Sequence, residues 1–165
     1  MSDLPFLKKY SGQTVEQLLS LEGEYRIDSL VLVFEEALGK KAFREGDSAL
    51  NAEELVILAV EALEREVNNG GYSQFFENSS QEFAPIIVQA LIRIGSPKTA
   101  EITQRAIESL HLPTLSVEAI EAIVAAGKMN EEDLNDCDKS YFSAGEDIAG
   151  QLFAFIKKNK GAITL

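Results

Sequence analysis

Apolar residues recur along most of the chain at the three- and four-residue spacing of amphipathic helices. The clearest stripes occupy residues 55–63, 86–94, 102–110, 120–124 and 142–156. Short loops separate them, and the last stripe predicts a long final helix. The expected fold class is therefore all-α: a single-domain, irregular bundle of about seven or eight helices, part of it stacked as helical hairpins.

Helix-start and helix-end signals support this division of the chain. Thr14 with Gln17 and Asn51 with Glu54 have the form of capping boxes, in which two side chains satisfy free backbone amides at a helix start. Asn130 precedes three acidic residues, which is a favourable sequence at the positive end of a helix dipole. Helix ends are predicted at the glycines that follow apolar stripes: Gly39, Gly70, Gly95 and Gly127.

Acidic residues outnumber basic ones, 27 to 15, and the net charge of −12 disfavours direct binding to nucleic acid. The excess lies in two segments, since residues 45–66 and 131–147 each contain seven acids and one base. No apolar run approaches the roughly 20 residues that span a bilayer. One cysteine suits a reducing compartment. We therefore expect a cytoplasmic protein without a membrane segment.

Residue types that carry out catalysis are scarce. His111 is the only histidine and Cys137 the only cysteine, so the two cannot complete a zinc site. Acidic neighbours of Cys137 would raise the pKa of its thiol and weaken it as a nucleophile. Phosphate-binding glycine loops and hydrolase motifs are missing. The sequence predicts a protein that is not an enzyme and uses neither a cofactor nor a metal.

The segment NNGGYSQFFEN, residues 68–78, is the most unusual in the chain. In one interpretation it is structural: a helix ends near Asn69, Gly70 adopts the left-handed conformation, and neighbouring amides satisfy free backbone groups. In the other, its amides and Tyr72 line a polar pocket for a ligand. The residues concerned are Asn68, Asn69, Gly70, Gly71, Tyr72, Gln74, Phe75, Phe76 and Asn78, with the three aromatic rings expected in grooves between helices.

Together with ALIRIGSPKTAEITQRAIESL and LNDCDKSYFSAGEDIAGQLFAFIKKN, this segment resembles a bacterial family of small helical domains named for a DNA-mimic protein. The resemblance covers residues 53–160 of a single domain spanning 1–165. Residues 1–50 would be a helical extension packed on it. Cys137 departs from the leucine that the family pattern favours. The resemblance implies an acidic homodimer that occupies the DNA-binding surface of a transcription factor.

Helical spacing places many of the acids on common helix faces, because residues three or four apart are neighbours. The leading hypothesis is a protein-binding domain that presents two rows of carboxylates to a basic DNA-binding protein or transcription factor. The predicted partner-binding residues are Glu53, Glu54, Glu61, Glu64, Glu132, Asp133 and Asp136. Two alternatives remain: an immunity-type protein that neutralises a toxin, and a small-ligand or enzymatic site at residues 68–78.

Overall fold

The computed structural model describes residues 3–165, and these residues form eight α-helices with three short 3-10 turns between or after them. The all-α prediction is confirmed. The helices are α1 (Val15–Leu19), α2 (Ile27–Glu45), α3 (Ala52–Glu77), α4 (Ala84–Ile94), α5 (Pro97–Glu108), α6 (Val117–Ala125), α7 (Glu131–Ser143) and α8 (Ile148–Lys158).

Helix starts follow the capping signals closely. Thr14 and Gln17 form a complete capping box at α1. At α3, the Glu54 amide donates to Asn51 Oδ1 over 2.9 Å while the Asn51 amide donates to Glu54 Oε2 over 3.1 Å. Asn130 Oδ1 accepts from the Asp133 amide at the start of α7. All three predicted caps are confirmed.

The first of two compact units consists of residues 3–61 together with 147–165. Helices α2 and α8 pack against each other there. The unit buries an aliphatic and aromatic core, in which the following side chains have no exposed surface: Leu18, Leu30, Phe34, Leu38, Ile57, Leu152 and Ile156.

The second compact unit consists of residues 62–146. Its centre is the helical hairpin of α4 and α5, and α7 packs on α5. Only Gly95 and Ser96 join the hairpin; Gly95 is left-handed (φ 88°), as its position after an apolar stripe predicts. Tyr72, Phe75 and Phe76 are fully buried, which confirms the prediction that these aromatic rings fill space between helices.

Two predicted helix ends, Gly39 and Gly70, are wrong, and so is the predicted extent of the final helix. Gly39 lies within α2 on an exposed position, where a helix accepts a glycine at a modest cost. Gly70 continues α3, and the chain instead kinks at Gly71, with φ 81° and ψ −175°. The predicted long final helix is two helices, because the chain breaks at Gly145 (φ 70°) and Asp147 then caps α8.

The start of α5 is capped from a distant part of the same unit. The amides of Lys98 and Thr99 and the Thr99 hydroxyl all donate to the Glu146 carboxylate, at 2.7–2.9 Å. Burial raises the pKa of Glu146, but these hydrogen bonds outweigh it and hold the pKa below its ordinary value. Ser96, the local N-cap residue, is fully buried and its hydroxyl has no hydrogen-bond partner within the described structure.

Candidate functional site

The predicted row of carboxylates on α3 does not form an exposed surface, and the prediction is wrong for Glu54 and Glu61. These two side chains are 0% and 4% exposed. Positions 54, 57 and 61 share one helix face, and Ile57 between them is fully buried, so this face belongs to the core. Glu53 and Glu64 are half-buried and interact with other groups.

Glu54 has a structural role. Its carboxylate accepts from Lys41 Nζ at 2.8 Å and from the Thr164 amide at 2.9 Å, in addition to the Asn51 amide. Lys41 also donates to the Thr164 carbonyl over 2.9 Å. Because both side chains are almost fully buried, each needs the other to offset the loss of hydration.

The acids on α7 are arranged differently. Glu132, Asp133 and Asp136 are exposed, as predicted, and so is Glu131 beside them. We call these four residues the α7 acidic face. They occupy the first two turns of the helix, where the positive end of the dipole stabilises negative charge. Lys139 lies 3.7 Å from Asp136 in an exposed ion pair and neutralises part of the charge.

The kink at Gly71 connects α3 to this acidic helix. The Tyr72 amide donates to Asp138 Oδ1 over 2.7 Å, and Ser73 Oγ donates to Glu131 Oε2 over 2.8 Å. A Cβ atom on Gly71 would lie 2.8 Å from Asp138 Cγ, so a larger residue would displace the carboxylate. Residues 71–73 therefore hold α7 at two points, at Glu131 in its first turn and at Asp138 in its second turn.

Burial affects the titration of the groups at the kink. It raises the pKa of the Tyr72 phenol, whose hydroxyl is 2.7 Å from Thr103 Oγ1. It also raises the pKa of Asp138, although the hydrogen bond from the Tyr72 amide opposes the shift. The Tyr72 phenol therefore stays protonated at neutral pH, and both side chains are engaged in hydrogen bonds within the fold.

The four amide side chains of the segment are engaged with neighbours. Asn68 Nδ2 donates to the Glu64 carbonyl, so this side chain bonds to the backbone as predicted. The amide groups of the other three donate to side chains instead. Asn69 donates to Gln74 Oε1. Gln74 and Asn78 both donate to Glu66 Oε2, at 2.6 and 2.8 Å. These bonds hold together the two halves of kinked α3, and they support a structural role.

Beside the α7 acidic face, a recess of about 320 Å³ opens between α5 and α7. Its lining includes Arg105, Glu108, His111 and Cys137, besides Asp133 and Asp136. Cys137 is 3% exposed, and burial raises the pKa of its thiol while Arg105 opposes that shift. No sequence signal pointed to Arg105 or Glu108, because helical spacing along α5 does not reveal which helix packs against it.

Within residues 3–165, no group of three or more histidine, cysteine, aspartate or glutamate side chains has the arrangement of a metal site. Nor does this part of the chain contain a helix with the length and hydrophobicity to cross a membrane.

Fold and site together define a class: an acidic all-α protein with a concentrated group of exposed carboxylates on one helix. The family model described as DMP19-like protein matches residues 48–159, which run from just before α3 to the end of α8, and the chain belongs to this family. The family is named for DNA mimic protein 19. No curated protein and no solved structure shows significant similarity to the chain.

Proposed function

We propose that the chain is a non-enzymatic protein that binds the basic surface of a DNA-binding protein through the α7 acidic face. The observation that carries the proposal is the exposure of Glu131, Glu132, Asp133 and Asp136 within six consecutive residues. Family membership supports the same function, since the protein that names the family is a DNA mimic.

The charge density of this face supports DNA mimicry. Four carboxylates over five helical steps occupy roughly 7.5 Å of axis, or roughly one charge every 2 Å. Duplex DNA carries about one negative charge every 1.7 Å of its axis. The surrounding unit does not cancel the charge, since residues 62–146 contain 14 acids and six bases, a net charge of −8.

A non-enzymatic role agrees with the state of the reactive groups. The Cys137 thiol is buried with a raised pKa, which lowers its reactivity as a nucleophile. Asp138 and Tyr72 are engaged in hydrogen bonds that organise the kink. The carboxylates of the acidic face offer charge on a stiff helix, which suits recognition of a basic surface.

Neutralising the acidic face tests the proposal. The variant Glu132→Gln/Asp133→Asn/Asp136→Asn removes three charges and leaves the Asn130 cap in place. A matched control, Glu24→Gln/Asp47→Asn/Glu121→Gln, removes three charges from other exposed positions. Circular dichroism of both variants checks that they keep their helices.

Immobilised wild-type protein is expected to capture DNA-binding proteins from a lysate, and added duplex DNA should displace them. Capture should weaken with salt, because screening shortens the range of charge–charge attraction. The control should capture the same proteins and the acidic-face variant should not. Equal capture by both variants, or capture that duplex DNA leaves unchanged, would overturn the proposal.

A further inference from the structure

A second recess lies next to the one between α5 and α7, on the other side of α5. It measures about 430 Å³ and lies between α4, α5 and the loop that follows α5. Its lining is divided about equally between polar and apolar surface, and we call it the apolar groove after its apolar side, which includes Val88, Ile107, Leu112 and Leu115. Its volume falls within the range of about 300–1,000 Å³ that is common for binding clefts.

The groove is continuous with the acidic surface. Glu108 and His111 line both recesses, so one surface runs from the apolar groove, across the end of α5, to Asp133 and Asp136 on α7. All these residues belong to the same compact unit. If basic residues of a partner bind at Asp133 and Asp136, the residues next to them in the partner's sequence would lie at the apolar groove.

The backbone at His111 shapes this junction. His111 is the only non-glycine residue with a positive φ (51°) among residues 3–165. Such a conformation is uncommon, and it turns the chain directly after α5 so that Leu112 and Leu115 border the groove. Leu110, one residue earlier, is 3% exposed and anchors the turn in the core.

We propose that the partner is a basic protein segment that also inserts an apolar side chain of about leucine size into the groove. The inference rests on the proposed function, because the acidic face must first attract that segment. Carboxylates alone attract many cations and discriminate poorly among them, whereas a desolvated apolar anchor adds affinity that depends on shape. The groove thus selects one kind of basic protein among many.

Two labelled peptides of equal charge test this inference by fluorescence anisotropy. Each has four lysines; one carries two leucines between them and the other two alanines. The leucine peptide should bind about tenfold more tightly, since burial of one leucine side chain corresponds to at least such a factor. Added salt should weaken both peptides and leave their ratio nearly unchanged, because apolar burial is not screened.

Three variants locate the effect. Gln89→Trp fills the groove from an exposed position of α4, and Leu115→Ser removes part of its wall; both should bring the ratio close to one. Ile92→Ser removes a half-exposed aliphatic side chain of α4 that does not line the groove, and the ratio should persist. Equal binding of the two peptides by the wild type would overturn the inference, and so would a ratio that survives Gln89→Trp.

Two further results separate the alternatives. If Gln89→Trp dissociates a dimer in sedimentation experiments, a second copy of the chain occupies the groove and the inference fails. If the variant with a neutralised acidic face still captures DNA-binding proteins, the proposed function itself fails, whatever the leucine-to-alanine ratio. If the variant with a neutralised acidic face loses capture and the wild type binds the two peptides equally, only the role of the groove is refuted.

Discussion

Replacing Gly71 with alanine tests the structural interpretation of residues 68–78. With φ 81° and ψ −175°, Gly71 occupies a backbone region that is essentially restricted to glycine. An alanine in that region costs about 1–3 kcal/mol. The new Cβ would also displace the Asp138 carboxylate from the Tyr72 amide. Because a hydrogen bond to a charged group contributes about 1.5–3 kcal/mol, we expect Gly71→Ala to lower the free energy of unfolding by about 3–5 kcal/mol.

Gly70→Ala is the matched control. Gly70 continues the helix without a positive φ. At such a position alanine is favoured over glycine by about 1 kcal/mol. Its Cβ would meet the end of the Gln74 side chain, and displacing that side chain would cost its hydrogen bond to the Glu66 carboxylate, worth about 1.5–3 kcal/mol. Because the helix preference of alanine offsets part of this loss, the variant should be destabilised by about 0.5–2 kcal/mol, which is less than the loss expected for Gly71→Ala.

Urea denaturation followed by circular dichroism measures both variants, and a double-variant cycle with Asp138→Ala separates the two costs. In the Asp138→Ala background, Gly71→Ala should cost only the backbone strain, about 1–3 kcal/mol. If Gly71→Ala is as stable as Gly70→Ala, the reasoning about the kink is wrong. If its cost is the same in both backgrounds, the overlap with Asp138 contributes nothing.

Two further variants address stability. Glu146→Ala should lower the free energy of unfolding by about 1–2 kcal/mol at neutral pH. Because the folded-state pKa is lowered, this difference should disappear as the pH falls from about 4.5 through that pKa in urea titrations. Ser96→Ala, its control, removes an unpartnered hydroxyl and should leave stability unchanged or slightly higher. Lys41→Met should cost about 3 kcal/mol by thermal or urea denaturation, because it leaves Glu54 charged and buried. Lys40→Met breaks an exposed ion pair with Glu36 and removes the ammonium group that lies 5.6 Å from the centroid of the Tyr10 ring. Because both interactions are exposed, its cost should be about 1 kcal/mol or less. Equal losses at the two lysines would refute the account of the buried pair.

Local features of the fold were predictable from the sequence, because capping and helical periodicity involve residues within one or two turns. Glu54 is an example of one correct and one wrong prediction from such local signals. Its position in a capping box correctly predicted that its carboxylate returns to its own helix start. Helical spacing alone then assigned the same side chain to an exposed row, although a capping carboxylate is already engaged.

Long-range partners could not be read from the sequence. Glu54 meets Lys41 and Thr164, which are 13 and 110 residues away, and Tyr72 meets Asp138, 66 residues away. The choice between Gly70 and Gly71 as the kink depends on that last contact. Two adjacent glycines give the same local signal, and only the position of Asp138 distinguishes them.

The sequence does contain a signal for the break between α7 and α8, but the apolar stripe that continues across it predicted a single helix. Gly145 and Asp147 are a turn residue and a helix cap, and both act as such. The groove and the recess beside the acidic face have no comparable signal. They arise where α4, α5 and α7 meet, and no pattern within one helix indicates which surfaces will adjoin.

The solitary thiol of Cys137 gives the protein a natural reporter of local opening. It sits one turn beyond Asp133 on the inner side of α7, 3% exposed. Because Cys137 lines the recess between α5 and α7 but is almost fully covered, a disulfide or maleimide reagent should react with it slowly unless α5 and α7 move apart. The rate of alkylation under native conditions therefore reports how readily the contacts between α5 and α7 loosen, without any engineered probe and at a single position in the chain.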